Sequence, residues 1–178
     1  MNQTDQVDTQ GPDDQAPGFD DLAALAAALA AKLKAAGWMM AAAESCTGGL
    51  IGAVCTSLAG SSEWLERGFI TYSNEAKAES LGVPAALIAA HGAVSREVAE
   101  AMVLGAVAHS RAQVAVAVTG IAGPSGATPG KPVGTVWLAT AVRGGGVRSE
   151  LANFPGNRGS VRMRTVERAL KMLGEAVG

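Results

Sequence analysis

Two kinds of apolar pattern alternate along the chain. In one kind, apolar residues recur three or four positions apart, as on one face of a helix; in the other, short apolar runs are bounded by glycine, proline or polar residues. The first kind predicts helices at Asp20–Ala36, Thr47–Leu58, Asn74–Leu81, Pro84–Ala90, Ser95–Ser110 and Ser160–Leu173. The second predicts strands at Trp38–Ala43, Arg67–Ser73, Val114–Val118, Val133–Val142 and Val147–Phe154. This order predicts an α/β fold: a three-layer α/β/α domain with a mixed, mostly parallel sheet.

Composition separates a tail from this domain. Residues 1–18 contain four aspartates but no Lys or Arg, and they are rich in Gln, Pro and Gly. We therefore expect 1–18 to be a disordered acidic tail and 19–178 to form one domain with a substantial core. The domain carries 12 acidic and 14 basic residues. That charge is too mild for a nucleic-acid-binding surface.

Cysteine usage and hydropathy bear on the compartment. Cys46 and Cys55 are too few for a disulfide framework, which favours a reducing cytoplasm. The N-terminus lacks the basic and apolar regions of a signal peptide. No apolar run reaches the ~18 residues of a membrane helix. We therefore expect a cytoplasmic protein without a membrane partner. The two histidines and two cysteines lack ligand spacing, so no metal is predicted.

Ser45 lies where a predicted strand gives way to a predicted helix. Thr47, Gly48 and Gly49 would open that helix, and a helix start offers free backbone N–H groups and the positive end of the dipole. A serine there can attack a carbonyl while N–H groups near Thr47 and Gly48 hold the oxyanion. The same turn could instead hold a phosphate. Cys46 could itself be nucleophilic, although we favour a small buried residue.

Lys77 is the candidate base for such a serine. It would lie on the first turn of a helix that Asn74 could cap, where the dipole disfavours a positive charge. The neutral amine is the form that a general base needs. Tyr72 could relay or hold a proton, and Glu44 could orient Lys77 or cap a backbone group. The pattern alone also allows a solvated surface lysine and a packed tyrosine.

Two further segments could contact a substrate. The loop Thr119–Pro132 follows a strand and contains several glycines, which let a ligand approach the backbone closely. It matches no P-loop, and a plain connecting loop is the alternative. Arg158 precedes the last helix, where its guanidinium could clamp a phosphate.

Five motifs, in this order, resemble those of the CinA C-terminal domain family. They are Ala-Glu-Ser-Cys-Thr-Gly-Gly (43–49), Thr-Tyr-Ser-Asn-Glu-Ala-Lys (71–77), His-Gly-Ala-Val-Ser (91–95), Val-Thr-Gly-Ile-Ala-Gly-Pro (118–124) and Lys-Pro-Val-Gly-Thr-Val-Trp (131–137). The resemblance covers about residues 20–175. The family includes nicotinamide-nucleotide amidases, and we expect the stand-alone form, without the N-terminal domain of the larger CinA proteins.

The resemblance implies a hydrolase of the pyridine nucleotide cycle that needs no metal or organic cofactor. It would convert nicotinamide mononucleotide (NMN) to nicotinate mononucleotide and ammonia, with Ser45 as nucleophile, Lys77 as base and Tyr72 beside them. Substrate contacts would come from Thr47, Gly48, Gly49, Asn74, Thr119, Gly120, Gly123 and Arg158. Asn157 stands where the family would have Asp. Relatives are usually oligomeric, so a homodimer is expected.

A non-catalytic module that binds nucleotide or phosphate, linked to competence or the DNA-damage response, is the alternative. The turn and the glycine loop would then cradle a phosphate, and Ser45 would be only a capping hydroxyl. Lys77 discriminates between the two functions, because a binding site tolerates Arg at that position and a general base does not.

Overall fold

Six α-helices and five strands make up the part of the chain that the computed structural model describes, residues 15–178. The helices are α1 Phe19–Ala36, α2 Leu50–Thr56, α3 Asn74–Leu81, α4 Ala85–His91, α5 Arg96–Ala108 and α6 Arg158–Val177. The strands are β1 Met40–Glu44, β2 Leu65–Ile70, β3 Val114–Gly120, β4 Thr135–Val142 and β5 Val147–Asn153. The predicted tail, 1–18, lies mostly outside the described residues. No helix within 15–178 is long and apolar enough to cross a bilayer.

The strands form one mixed sheet in the order β2-β1-β3-β4-β5. β1 pairs in parallel with both β2 and β3. β4 pairs antiparallel with β3 and with β5. Only β4 therefore runs against the other strands of this sheet. The predicted fold class, an α/β domain with a mixed sheet, is confirmed.

Side chains on the central strands explain why helices cover both faces. Alternate residues of a strand point to opposite faces. One face buries larger residues, such as Val116 and Leu138, against α1, α2 and α6. The other buries mainly alanines, such as Ala115, against α3, α4 and α5. These small side chains let α5 pack closely on the sheet. Gly105 lets α5 pack closely on α3 as well, because a Cβ at that position would clash with the Leu81 carbonyl oxygen.

The connections after β1 and β2 leave the sheet on opposite faces. α2, which follows β1, packs on the face with α1 and α6, whereas α3, which follows β2, packs on the face with α5. In open α/β sheets, such a divergence leaves a crevice at the carboxyl ends of the strands. Ser45 and Lys77 come from these two connections, so the topology brings both to one crevice.

Two predicted helix starts are corrected by the capping groups. Ser73, not Asn74, caps α3, because its hydroxyl accepts the Ala76 N–H at 3.0 Å. The helix predicted from Thr47 begins only at Leu50. The intervening residues form a turn whose hydrogen bonds determine what Ser45 can do.

Candidate active site

A cleft of about 220 Å³ opens at the carboxyl ends of β1, β2 and β3. Most of the predicted site residues line it: Ser45, Tyr72, Asn74, Lys77, Thr119, Gly120 and Arg158. Cys46, Ala93, Val94 and Ala122 complete the lining. The cleft lining does not include the remaining predicted residues, Thr47, Gly48, Gly49 and Gly123. Five segments that are far apart in the sequence therefore converge on one small space.

Ser45 and Lys77 are in direct contact in this cleft. The Lys77 Nζ lies 3.1 Å from Ser45 Oγ. It also lies 2.8 Å from the Thr71 carbonyl oxygen and 3.3 Å from the Tyr72 carbonyl oxygen. A neutral amine has two N–H bonds and one lone pair. These two carbonyls are nearer than the Ser73 carbonyl, at 3.5 Å, and can take the N–H bonds, which leaves the lone pair for the Ser45 hydroxyl proton.

Burial supplies the electrostatic condition for that arrangement. Lys77 is only 1% exposed, and burial lowers the pKa of its amine below the ordinary value of 10.5. A buried charge loses the hydration that stabilises it, so the neutral form gains in population. Desolvation, more than the dipole of α3, therefore prepares Lys77 to accept a proton.

Glu44 occupies the start of α2. Its carboxylate, 1% exposed, accepts the N–H groups of Gly49 at 3.1 Å, Ile51 at 3.0 Å and Gly52 at 2.9 Å. It also accepts the Thr47 hydroxyl at 2.7 Å. Glu44 was considered either to orient Lys77 or to cap a backbone group, and in the structure it caps backbone N–H groups. The start of this helix is therefore filled by the protein's own carboxylate and has no room for a phosphate.

Some N–H groups of this turn already donate to acceptors within the protein and are therefore not available to an oxyanion. The Gly48 N–H donates to the Ser45 carbonyl at 3.1 Å, the Gly49 N–H donates to Glu44, and the Thr47 side chain is buried. The expectation that Gly48 holds an oxyanion therefore does not fit its geometry. Within residues 15–178, the Cys46 N–H contacts its own thiol, and neither this N–H nor that of Thr47 donates to the backbone of another residue. Of the two residues, Cys46 lines the cleft.

The Cys46 N–H has the position of an oxyanion donor that is known from other acyl-transfer enzymes. In hydrolases with a serine on a strand-to-helix turn, the N–H of the residue after the nucleophile is an oxyanion donor. Gly120 lies across the cleft at the end of β3. Its neighbour Ile121 donates to Thr135 of β4, so the Gly120 N–H faces the β1 side, beyond the end of that strand. The Cys46 and Gly120 N–H groups are the candidate oxyanion donors.

The Cys46 thiol is a poor competitor for the role of nucleophile. Burial is the largest of the effects that raise the pKa of Cys46 to about 12. A thiol is nucleophilic only as the thiolate. The interpretation of Cys46 as a small buried residue fits this environment.

Arg158 and Tyr72 form the rim of the cleft. The guanidinium of Arg158 donates to the Gly123 carbonyl at 2.8 Å and to the Tyr72 hydroxyl at 3.0 Å. The Tyr72 side chain is 61% exposed, and the hydrogen bond between Tyr72 and the Lys77 amine is made by the Tyr72 backbone carbonyl. Gly123 thus positions Arg158. Asn157 caps α6 by accepting the Ser160 N–H at 3.0 Å, as an Asp would, without placing a negative charge beside Arg158.

The segment His91–Ser95 forms the wall opposite Ser45. The Thr119 hydroxyl donates to the Ala93 carbonyl at 2.8 Å, and the Lys131 Nζ donates to the Val94 carbonyl at 2.8 Å. Thr119 therefore shapes the cleft by holding this wall. Within the same segment, Gly92 ends α4 and Ser95 caps α5.

Arg162 is a residue of the site that pattern reasoning missed. Its guanidinium donates to the Thr47 carbonyl at 2.7 Å, in the turn that follows Ser45. No local signal marks this contact, because 115 positions separate the two residues. Within 15–178, no three His, Cys, Asp or Glu side chains are grouped as metal ligands.

The chain is similar in sequence to several known proteins. The nicotinamide-nucleotide amidohydrolase PncC of Pseudomonas putida is 51% identical over 152 residues, which cover 85% of this chain and 94% of that protein. PncC of Escherichia coli K12 is 50% identical over 141 residues, which cover 79% and 86%. A CinA-like protein of Mycolicibacterium gilvum is 51% identical over 142 residues, 80% of this chain but 34% of that protein. The chain thus spans about a third of that longer relative.

A solved structure and a family model complete the assignment. The competence/damage inducible protein CihA from Agrobacterium tumefaciens superimposes with a TM-score of 0.86 at 45% identity, over 92% of this chain and 98% of that one. The family model described as CinA C-terminal domain matches residues 22–177. With the five motifs placed around one cleft, the chain belongs to the CinA C-terminal domain family.

Proposed function

We propose that this protein hydrolyses the carboxamide of NMN to nicotinate mononucleotide and ammonia. The observation that carries the proposal is the 3.1 Å contact between Lys77 Nζ and Ser45 Oγ in a cleft where the lysine is almost fully buried. Relatives about half identical in sequence are named nicotinamide-nucleotide amidohydrolases, which supports the choice of substrate.

The first half-reaction forms an acyl-enzyme. Neutral Lys77 takes the Ser45 proton as Ser45 Oγ bonds to the carboxamide carbon, and the carbonyl oxygen becomes an oxyanion. The Cys46 and Gly120 N–H groups hold that oxyanion. One such donor is worth about 3 kcal/mol. The C–N bond then breaks, and Lys77 returns its proton to the departing nitrogen, which leaves as ammonia.

The second half-reaction releases the acid. Water enters where ammonia left, Lys77 removes a proton from it, and the resulting hydroxide attacks the acyl carbon. The bond to Ser45 Oγ breaks, and Lys77 delivers the proton to that oxygen. The product is a carboxylate. The pyridinium ring of NMN withdraws electrons from the carboxamide throughout, which makes its carbon a suitable electrophile.

Arg158 is the residue we assign to the substrate phosphate. It stands at the rim, and a guanidinium pairs with phosphate through two parallel hydrogen bonds. A phosphate can replace the Tyr72 hydroxyl as its partner, while the bond to the Gly123 carbonyl keeps the guanidinium in place. Asn74 and Thr119 lie between the rim and Ser45, where they can contact the ribose or the ring.

The competing function, a binding module, requires free N–H groups at the start of α2. Glu44 already accepts those of Gly49, Ile51 and Gly52. A binding module also has no need for a buried lysine against a serine, since the desolvation of an amine costs stability. The geometry therefore favours catalysis.

Incubation of the purified protein with NMN tests the proposal. We expect ammonia and nicotinate mononucleotide in equal amounts from the wild-type protein and their loss in Ser45→Ala. Cys46→Ser is the matched control, because it changes the adjacent side chain and keeps the backbone N–H, so it should retain most turnover. Tight NMN binding without product, or turnover that survives Ser45→Ala and is lost in Cys46→Ser, would contradict the proposal.

We further propose that the protein works in the cytoplasm as a homodimer. Cys46 and Cys55 are free buried thiols, which supports a reducing compartment. Ile70 and Tyr72 are each 61% exposed next to the cleft, and apolar surface at that place supports association of two copies. Light scattering should give twice the chain mass at micromolar concentration. The mass of one chain would contradict the dimer.

A further inference from the structure

Arg162 contacts the nucleophile turn from outside the cleft. It projects from α6, and its guanidinium donates to the Thr47 carbonyl at 2.7 Å. Arg162 does not line the cleft, so its route to the reacting atoms runs through the turn. The Thr47 carbonyl also accepts the Leu50 N–H at 3.3 Å. The carbonyl would therefore keep a partner without Arg162, which means that simple satisfaction of a buried acceptor does not explain the contact.

Two peptide units connect this contact to the oxyanion donor. The Thr47 carbonyl shares its peptide unit with the Gly48 N–H, which donates to the Ser45 carbonyl at 3.1 Å. The Ser45 carbonyl in turn shares its peptide unit with the Cys46 N–H. A hydrogen bond to the carbonyl of a peptide polarises its N–H, and bonds in a chain strengthen one another by roughly 10–30% each.

We propose that Arg162 is a positioning residue that strengthens the Cys46 N–H as oxyanion donor through these two peptide units. The inference rests on the proposed function, since it concerns the same acyl transfer. The guanidinium starts the chain with a charge-assisted bond. It also fixes the position of the turn, because its tether to α6 opposes any rotation of the peptide between Thr47 and Gly48.

The charges around the turn give Arg162 a second effect in the same direction. The Glu44 carboxylate lies beneath the turn and disfavours a negative charge above it. The pKa of Cys46 reflects this balance: burial raises it most, the residue's own backbone N–H lowers it, Glu44 raises it further, and both Lys77 and Arg162 lower it. An oxyanion formed beside Cys46 would experience the same fields. Arg162 therefore offsets part of the cost of having Glu44 as the helix cap.

The test compares Arg162→Gln and Arg162→Lys with Arg168→Gln. Arg168 lies on the same helix and pairs with Glu150 and Glu175, so its loss controls for a missing charge and lowered stability. In Arg162→Gln we expect kcat for NMN to fall about tenfold, part of the roughly 10²–10³ lost with a whole donor, and KM to stay within about twofold. Arg162→Lys, which keeps a charge and one donor, should recover part of kcat.

A second readout separates this inference from the choice of substrate. A fluorophosphonate reacts when Ser45 Oγ displaces fluoride from phosphorus, the serine proton passes to Lys77, and the phosphoryl oxygen occupies the oxyanion position. The labelling rate should fall in Arg162→Gln and not in Arg168→Gln. If the wild-type protein labelled but did not hydrolyse NMN, the proposed substrate would be wrong, and the labelling ratio would still decide the role of Arg162.

Three results would overturn the inference. In the first, Arg162→Gln matches Arg168→Gln in both kcat and labelling rate. In the second, the loss appears as a proportional rise in KM, which would make Arg162 a substrate contact. In the third, Arg162→Lys is no better than Arg162→Gln at a temperature where both are fully folded.

Discussion

Glu44 and Lys77 are two ionisable side chains at the same cleft, each 1% exposed, and their partners are opposite in kind. Glu44 accepts three backbone N–H groups and one hydroxyl, all from the turn and helix that follow it. Lys77 contacts backbone carbonyls and the Ser45 hydroxyl. The hydrogen-bond donors around Glu44 keep their protons, whereas the Ser45 hydroxyl beside Lys77 can transfer its proton to the amine.

The comparison shows that burial alone does not identify a reacting group. A buried carboxylate with four donors is a capping group that holds the turn in one shape. A buried amine against a hydroxyl in an open cleft has a lowered pKa and a reaction partner. The two depend on each other, because the turn that Glu44 fixes is the turn that presents Ser45 to Lys77.

The largest effect is expected from Lys77→Met. Removal of the base should lower kcat at least about 10³-fold, within the range typical of general bases, while nicotinate mononucleotide still binds. Stopped assays of ammonia, with calorimetry of product binding, measure the two quantities. Lys32→Met is the matched control, since Lys32 also donates to a backbone carbonyl, that of Gly174 at 3.1 Å, but does not line the cleft. If kcat fell by a similar factor in both variants, the assignment of Lys77 as the base would lose its support.

The second effect concerns stability. Glu44→Gln replaces a carboxylate by an amide that has one acceptor oxygen and presents an NH₂ group to buried donors. We expect the free energy of unfolding to fall by about 2–4 kcal/mol, measured by urea denaturation. Glu75→Gln is the control, because Glu75 is an exposed acid in the first turn of α3, and it should cost about 0.5 kcal/mol. Equal losses would show that the Glu44 cap contributes nothing special.

The smallest effect is a pH dependence of stability that belongs to Lys77. Its folded-state pKa lies below the ordinary 10.5, so between these two values the unfolded chain holds a proton that the folded chain releases. Stability therefore rises with pH through that window, by about 1.4 kcal/mol for each unit of lowering, and levels off above 10.5. The difference in unfolding free energy between wild type and Lys77→Met should follow this rise. A difference independent of pH would contradict it.

Local capping explains which parts of the fold were predictable from sequence. Gly37 ends α1 in a left-handed conformation, and the Ser95 hydroxyl caps α5 by accepting the Val98 N–H. Both signals lie within a few residues of the helix ends that they define. The bounds of α3 were predicted correctly, although its cap was assigned one residue too late.

The site was predictable in its members more than in their roles. The family motifs predicted that Ser45 and Lys77, which are 32 positions apart, act together. Hydrophobic periodicity, in contrast, does not predict which groups the Glu44 carboxylate contacts. Glu44 folds forward over α2 and delays its start to Leu50, and Arg162 reaches Thr47 from the other end of the chain. Such contacts depend on tertiary packing, which is why the sequence could not show that the Gly48 N–H already donates to the Ser45 carbonyl.

The most direct test of the central claim is an NMR titration of the protein with lysines labelled at Cε. The signal of Lys77 is the one missing from Lys77→Met. We predict that it titrates below 10.5, as the amine of a buried general base should, and that it does so in Ser45→Ala as well, because burial is the main cause. A Lys77 signal that titrates at or above 10.5 would show an ammonium held by carbonyls, and Lys77 could then not serve as the base.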